Sequence, residues 1–549
     1  MKIVLPNIRL PFNHDEDQIV EIVSKKLRIP ANIITNIEVD KVSVDARRKP
    51  SIFFVYTLMV STKNNVNDNN IRKSGGRVFK YKAYKFPFEK VELDSRPVIV
   101  GSGPAGLFCG LTLAREGYNP IILERGEEAS KRYETIKAFN ETGLLNPESN
   151  ITFGEGGAGT FSDGKLYTGV KDKFLRKQLI LDALVEFGAD PAILQMAKPH
   201  VGTDYLVNIV ENMRKEIIKL GGEFHFNTKV VDMTFENDQI TSVTAQENKE
   251  LVEYRSNNIV LAIGHSARDT FKKLHDKKVN MEAKAFAIGL RIEHPQEWID
   301  HSQYGETHYE DTRLPVADYK LTYNSKSGRG VYTFCMCPGG YVVNSSTEQG
   351  MVASNGMSLF NRDNKNANSA VIVNVGPEDF KTGNDVSPLD GIAFQEKWER
   401  KAYELSQSHN LPTQSFKDYY KDVIGQDYEN ASLINDPFFG DKKIETSVIS
   451  GTIEANLNQC LPKEVNETLV EGILAFGKKL KGFDHPNSRL VGVETRTSSP
   501  VKILRDDKFM SSINGLYPCG EGAGYAGGIM SAAIDGIKVA EKIVENSSK

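Results

Sequence analysis

Hydrophobic positions along the chain change their period three times. The opening KIVLPNIRL alternates apolar and polar residues and predicts a half-buried strand. The stretch Asp17–Leu27 then sets Ile19, Val20, Val23 and Leu27 on one helical face. Two runs follow, Ile34–Val44 and Ile52–Val60, the second rich in β-branched and aromatic residues, and both predict strands. The polar, breaker-rich segment 62–77 predicts a loop. Residues 1–94 therefore form a small α+β module.

At Arg96 the texture changes. Val98-Ile99-Val100 is a short buried strand, followed by GSGPAG, the apolar helix LFCGLTLAREG and the strand PIILERG. That order is a βαβ unit. Alternating helices and strands continue to about 282, including a helix over Asp204–Leu220 and strands over Gly222–Asn227 and Ile259–Ile263. Between 283 and 484 shorter strands with long polar connections take over, such as Tyr341–Val343 and Ala370–Val375, flanked near the end by helices around 391–407 and 463–480. Residues 485–549 return to a Gly-rich turn opening onto a helix, Ile529–Val544. The fold class expected is α/β. A discontinuous Rossmann-like domain (95–282 and 485–549) carries an inserted, mainly-β substrate or cap domain (283–484), behind a small α+β N-terminal domain (1–94).

Composition narrows the setting. Five cysteines in 549 residues are too few for a disulfide scaffold, and no Cys/His set has zinc or iron–sulfur spacing, so no metal is expected. The N-terminal MKIVLPNIRLPF lacks the apolar core of a signal peptide, and no uniformly apolar run reaches the ~18–20 residues of a membrane helix. A cytoplasmic protein without a membrane partner is expected. The net charge of −4 hides an asymmetry, because residues 1–95 hold 17 basic and 11 acidic side chains. A basic module can meet an anionic partner, although a solvated basic surface accounts for it as well.

Glycine carries the chemistry. Its total of 45 is ordinary, but windows 101–110, 154–164 and 520–528 hold four, five and five. In Gly101-Ser102-Gly103-Pro104-Ala105-Gly106, the first glycine permits the strand-to-helix turn, the second leaves room for a pyrophosphate, and the third lets helix and strand pack. Glu124, 23 residues after Gly101 and beside Arg125, ends the second strand, where it can accept hydrogen bonds from a ribose. Strand, turn, helix, second strand and acid together indicate a bound dinucleotide. Val260–Gly264 adds a buried strand and a small-residue turn, with Ala262 and Gly264 free to lie against it. In the last cluster Glu521 follows Gly520 and can bond a ribityl hydroxyl. The helix opening at Gly528 and Ile529 can face a flavin's pyrimidine oxygen.

GSGPAG…Glu124, the Ala-Ile-Gly strand end and GLYPCGEGAGYAGGIMSAAIDG together resemble the glutathione-reductase-type FAD flavoproteins. More narrowly, the Gly-rich run Phe153–Lys165, Phe334-CMCPGG-Tyr341, Asn368-Ser369-Ala370 and Glu494-Thr-Arg496-Thr-Ser-Ser-Pro500 resemble bacterial FAD-dependent dehydrogenases of unknown substrate, over essentially the whole chain. The resemblance implies FAD as cofactor. It also implies that Gly157, Gly159, Thr160 and Ser162 belong to a loop lying along the cofactor, and that the strand at Thr228–Val231 meets adenine through Val231. No second Gly-rich fingerprint appears between 106 and 484, so NAD(P)H, if it is the electron donor, binds transiently.

Three residues are candidates for catalysis. Cys337 stands two residues from Cys335, and on an alternating strand both thiols share a face, where a redox or nucleophilic role competes with simple burial. Arg496 can clamp a substrate carboxylate, with Glu494 two residues away, and an internal salt bridge is the rival reading. His265 can act as an acid or base, and Lys165 and Arg268 can contact phosphate or substrate. The function expected is an FAD-dependent oxidoreductase, a dehydrogenase acting on a small organic substrate. Its alternatives are an RNA-associated flavoprotein or an FAD-holding scaffold that uses the basic N-terminal domain. The acidic total and the lack of a basic–aromatic pattern count against nucleic acid.

Overall fold

Two large sheets, one parallel and one antiparallel, organise the chain in the computed structural model, which describes residues 1–548. The parallel sheet has five short strands in the order Leu516–Pro518, Ile259–Leu261, Val98–Val100, Ile121–Leu123, Glu223–His225. Their side chains alternate between two cores. Ile99, Ile122, Val260 and Tyr517 pack under the helices Pro104–Arg115, Thr203–Lys219 and Ile529–Ser547. Val98, Val100, Leu123, Ile259, Leu261 and Leu516 face a three-stranded antiparallel sheet spanning 228–255. Strands buried on both faces must be apolar throughout. That is why the three central ones, Ile259–Leu261, Val98–Val100 and Ile121–Leu123, read as continuous Val/Ile/Leu runs, while the edge strand Glu223–His225 does not.

The second sheet has seven strands, in the order Thr322–Asn324, Gly330–Cys337, Asn366–Val375, Phe286–Pro295, Arg489–Glu494, Leu411–Ser415, Thr452–Glu454. Neighbours are antiparallel except the last pair. Phe286, Ile288, Leu290 and Ile292 pack in one core with Leu469, Ile473 and Phe476 of the helix Lys463–Gly477. The intervening residues Ala287, Arg291 and Glu293 point the other way and are buried too, with Asn368 and Ala370 beside them. A half-polar strand can be buried on both faces only if its charges are paired or hydrogen-bonded. Arg291 pairs with Glu494 at 2.8 Å, and Glu293 accepts from the Thr446 hydroxyl at 2.6 Å and the Ser447 N–H at 2.7 Å.

The strand Arg489–Glu494 lies within this sheet, so the insert ends near 495, ten residues beyond the expected boundary at 484/485. The chain leaves and re-enters the parallel-sheet domain through one antiparallel ribbon, Met281–Ala283 against Val501–Ile503.

The N-terminal module is a four-stranded sheet, in the order Ile34–Arg48, Ser51–Thr62, Lys2–Pro11, Arg77–Val78. The helix Glu16–Leu27 buries Val23 and Leu27 against its Ile3, Leu5, Leu58 and Val60. The segment 62–77 is more ordered than its composition suggests. Asn67 accepts from the Asn69 N–H at 2.8 Å to start the helix Asp68–Lys73, and Arg77–Val78 pairs with the first strand. Phe12, Ala46 and Ile52 join the core of the insert. The following strap lays Tyr84, Phe86 and Phe88 on the helical layer of the parallel sheet, where the Tyr84 hydroxyl donates to Glu541 at 2.9 Å. Among the described residues no helix is long and apolar enough to cross a membrane.

Candidate active site

The three glycine clusters converge on one cavity. Gly101 follows the strand Val98–Val100 with φ +99°, and a Cβ there would lie 2.4 Å from the Ala262 carbonyl oxygen. Only glycine tolerates both conditions. Gly103 stands at the cap position of the helix Pro104–Arg115 without a side-chain cap, so first-turn N–H groups remain for a ligand. The second cluster comes within contact of the first, since a Cβ on Gly157 would sit 3.0 Å from the Gly103 Cα. The third ends at Gly528, φ +108°, which opens the helix Ile529–Ser547, again without a side-chain cap. Two helix N-termini therefore face the same space. Gly101, Ser102, Gly103, Pro104, Ala105, Glu124, Arg125, Gly157, Gly159, Ser162, Ala262, Gly264, Glu521, Gly528 and Ile529 all line it.

Glu124 serves a different purpose from a free ribose acceptor. Its Oε2 accepts from the Ser102 N–H at 2.9 Å and hydroxyl at 2.7 Å, and its Oε1 from the N–H groups of Gly126 and Gly154 at 2.9 and 3.0 Å. Four donors fill the acceptor positions of one carboxylate. It ties the first glycine turn to the loop that begins the second. Arg125 is likewise engaged, by Glu148 at 2.7 Å and by both oxygens of Asp269 at 3.0 Å.

Four of the expected cofactor residues do not line the cavity. Gly106 packs behind the turn, where a Cβ would meet the Gly101 carbonyl oxygen at 1.9 Å. Thr160 is turned back under Gly156, its hydroxyl donating to the Glu155 carbonyl at 3.3 Å. Gly520 gives close approach to Ala105 and donates its N–H to Asp535 at 2.8 Å. Val231 falls in a register shift between Val230 and Asp232, so Val230, with Thr228 and Lys229, faces the cavity in its place.

The catalytic candidates divide. Glu494 is not among the lining residues. Its carboxylate is taken by Arg291, Nη2 at 2.8 Å and Nε at 3.1 Å, in a fully buried pair that also binds the Cys335 carbonyl and Asn368. Arg496 does line the cavity, but its fork is closed on Glu399, Nε at 2.9 Å and Nη2 at 2.6 Å, while Nη1 reaches Thr347 at 2.6 Å. Glu399 also receives Arg268 at 2.7 and 3.0 Å and the Thr495 hydroxyl at 2.7 Å. Burial alone would raise this carboxyl; the two guanidiniums hold it well below its ordinary value. The salt-bridge reading therefore holds for both residues, and neither is free to clamp a substrate bidentately.

Cys335 and Cys337 both line the cavity, though not as an alternating pair. Phe334 pairs with Ala370 and Cys337 with Asn368, which leaves one extra residue on the cysteine strand. Cys335 takes up the bulge with φ +42°, a left-handed conformation uncommon outside glycine. Its thiol is exposed, whereas Cys337 is buried and donates to the Cys335 carbonyl at 3.2 Å. Burial raises the Cys337 thiol above its ordinary value, so the buried position holds no ready thiolate.

Lys165 also lines the cavity. It donates to the Met336 carbonyl and to Asp163 at 3.0 Å, and Asp163 is shared with Arg362 at 2.6 Å and Ser358 at 2.6 Å. Against its burial, Lys165 and Arg362 hold Asp163 down to about 2. His265, bonded through Nδ1 to the Ser266 hydroxyl at 2.8 Å, is lowered to about 4 by burial and by Arg496 and Arg268. It is a neutral imidazole at physiological pH. Glu521 is raised by burial to about 7, with the Gly528 N–H and Lys284 opposing.

Sequence reasoning missed Asn355, Gly356, Thr497 and Glu399. A Cβ on Gly356 would lie 2.4 Å from Arg291 Nη1, and that near-contact is the reason for the glycine. Asn355 and Gly356 follow no motif, and Glu399 sits mid-helix about a hundred residues from Arg496, so no local signal marks them.

A family model described as "FAD-dependent protein, C-terminal domain-like" matches residues 285–497, an FAD binding domain model matches 96–137, and a domain of unknown function matches 2–61. An uncharacterized protein of Clostridium beijerinckii is 45% identical over 555 residues, covering 99% of each chain. Among solved structures, the flavin-dependent brominase Bmp2 is 12% identical with a TM-score of 0.36, covering 82% of this chain and 79% of that one. A 3-ketosteroid-delta4-(5alpha)-dehydrogenase from Rhodococcus jostii RHA1 is 13% identical with a TM-score of 0.33, covering 83% and 98%.

Proposed function

We propose that this chain, which belongs to the FAD-dependent oxidoreductase family, is a dehydrogenase whose organic substrate lies between the cofactor and the inner face of the inserted sheet. One observation carries the reading. The cavity lined by the turns at 101–105 and 520–529 is also lined by Phe334, Cys335, Cys337 and Asn355 of the insert. Cofactor and substrate elements thus share one wall-to-wall space.

The residues fit FAD. The Gly103–Gly157 contact leaves a groove no side chain can fill, beside two uncapped helix N-termini that suit a diphosphate and an electron-rich ring edge. Gly101–Ala105, Gly157, Gly159, Ser162, Gly264, Glu521, Gly528 and Ile529 would hold it. FAD, when bound, supplies reversible two-electron, hydride-accepting chemistry.

The chain's own part is positional. The Arg268–Glu399–Arg496 cluster pins the helix Asp390–Ser406 of the insert to the 265–268 turn of the cofactor domain. The floor of the substrate space is then held rigidly by the buried Arg291–Glu494 pair. His265 offers a neutral ring nitrogen at the junction, able to hold or release a proton without carrying a fixed charge. In that reaction the organic substrate is the electron donor; NAD(P)H would enter only transiently, as an alternative donor in place of the substrate.

The test is anaerobic mixing of the FAD-loaded protein with NADPH, NADH and a panel of alcohols, amines and saturated acids. Bleaching of the flavin by one donor, with turnover on an added acceptor, is expected. A flavin that stays oxidised with every donor and shows no turnover would count the reading out.

A further inference from the structure

Near the insert the lining carboxylate, Asp163, is already engaged by Lys165, Arg362 and Ser358. Of the basic side chains that line the cavity, Arg125 and Lys229 are matched by Glu148 and Asp269, and Arg496 is matched by Glu399. Lys165 is not fully matched. It shares the single carboxylate of Asp163 with Arg362, so two cations face one anion. The Asp163 side chain is only 2% exposed, which screens that surplus little.

The geometry of Lys165 leaves it something to do. An ammonium has three N–H donors. Asp163 and the Met336 carbonyl take two, holding the group in place against the entropy of a free lysine. The third is left for the cavity. Asn355 lines the same cavity and is tied to the same strand, since Arg291 donates both to the Cys335 carbonyl at 3.2 Å and to the Asn355 oxygen at 3.3 Å. That oxygen also accepts from the Gly356 N–H at 2.8 Å, so the amide N–H₂ is the part left to a ligand. The neighbouring Phe334 and Cys335 add an apolar ring and a thiol.

We propose that this end of the cavity takes an organic anion, a substrate whose carboxylate is held by Lys165 and Asn355 against the Phe334–Cys335 wall. The assignment rests on the oxidoreductase reading for what happens to that substrate, but not for its charge. Unused donors select a ligand that brings acceptors, and a pre-positioned ammonium in the same cavity wall as a free amide N–H₂ selects a carboxylate over a neutral amide or alcohol.

Cys335 is a built-in reporter, since it is exposed while Cys109, Cys337, Cys460 and Cys519 are buried. The full-length protein, with and without FAD, is treated with iodoacetate or iodoacetamide, and carboxymethylation and carbamidomethylation of Cys335 are timed by peptide mass spectrometry. Iodoacetate is expected to be favoured about tenfold relative to the same ratio for a neutral small thiol. That bias should vanish in Lys165→Met and persist in Lys165→Arg. In parallel, benzoate but not benzamide should perturb the bound flavin spectrum saturably and protect Cys335.

Equal bias for Cys335 and the free thiol, or a bias unchanged by Lys165→Met, overturns the anion assignment. So does equal perturbation by benzoate and benzamide. If Lys165→Met does not fold, the wild-type ratio and Lys165→Arg decide the matter alone. A protein that never retains flavin overturns the oxidoreductase reading yet still reports its labelling bias. A flavin-loaded protein without bias overturns the anion and leaves the oxidoreductase standing.

Discussion

Arg496 and Glu399 meet fork to fork, 2.9 Å from Nε to Oε1 and 2.6 Å from Nη2 to Oε2, and the same carboxylate also binds Arg268. Neutralising the carboxylate leaves the buried Arg496 fork without its anion and Arg268 with only the part-exposed Glu348, at 2.9 Å. Glu399→Gln should therefore destabilise the protein by about 3–5 kcal/mol, the range for breaking a buried pair. Arg496→Lys, which keeps the charge and loses the fork, should cost less. Thermal unfolding midpoints for both variants check the order; a Glu399→Gln midpoint equal to wild type would contradict it.

Gly157 combines φ +60° with a neighbour, the Gly103 Cα, 3.0 Å from any added Cβ. Gly157→Ala should fold, with unchanged far-ultraviolet circular dichroism, yet retain at least about tenfold less FAD after gel filtration. Gly169→Ala is the control, since nothing lies within 4 Å of it. Equal flavin content in the two variants would remove the groove from the cofactor's binding site.

His265 sets an expectation for acid. Its folded-state value near 4 lies below the ordinary 6.5, because of burial and the adjacent Arg496 and Arg268. The unfolded chain binds this proton first, so the stabilising contribution is complete above 6.5 and is lost as pH falls toward 4. His294, lowered to about 4 by burial, acts in the same window. His265→Gln should flatten, without abolishing, the fall of the unfolding midpoint between neutral pH and about 4. An unaltered slope would show that the ring is not held neutral.

Thiol counting tests the bulge. In the native chain one cysteine, Cys335, is exposed and four are buried. An aromatic disulfide reagent should therefore react with one thiol quickly and with all five only after denaturation. Cys335→Ser should remove the fast phase, and Cys337→Ser should leave it. A fast phase that survives Cys335→Ser would place the exposed thiol elsewhere.

The glycine-lined half of the cavity was legible because its turns are local. Gly101, Gly103 and the helix they open lie within a few residues of one another, and their roles follow from turn geometry. The insert half was not. Glu494 and Arg496 read as neighbours of a substrate, but their partners Arg291 and Glu399 come from strands and helices far away in sequence. Alternation placed the two cysteines on one face, and a single extra residue at Cys335 undid it. The same kind of irregularity exchanged Val231 for Val230. Changes in period marked the shift to shorter strands after about 283, whereas the place of Arg489–Glu494 in the antiparallel sheet needed strand pairing, which no window of sequence contains.

The ribbon of Met281–Ala283 against Val501–Ile503 gives the insert a single doorway. A segment of more than two hundred residues departs and returns on adjacent strands, so its removal would leave two chain ends already side by side. Such a joint lets the nucleotide-binding half and the substrate-facing half diversify separately. The contacts across the boundary would need to change in step, among them Glu399 with its two arginines, Asp163 with Ser358 and Arg362, and Phe12, Ala46 and Ile52 in the insert core. Grafting the 285–497 segment of a relative onto this frame is the direct test of whether that segment sets the specificity.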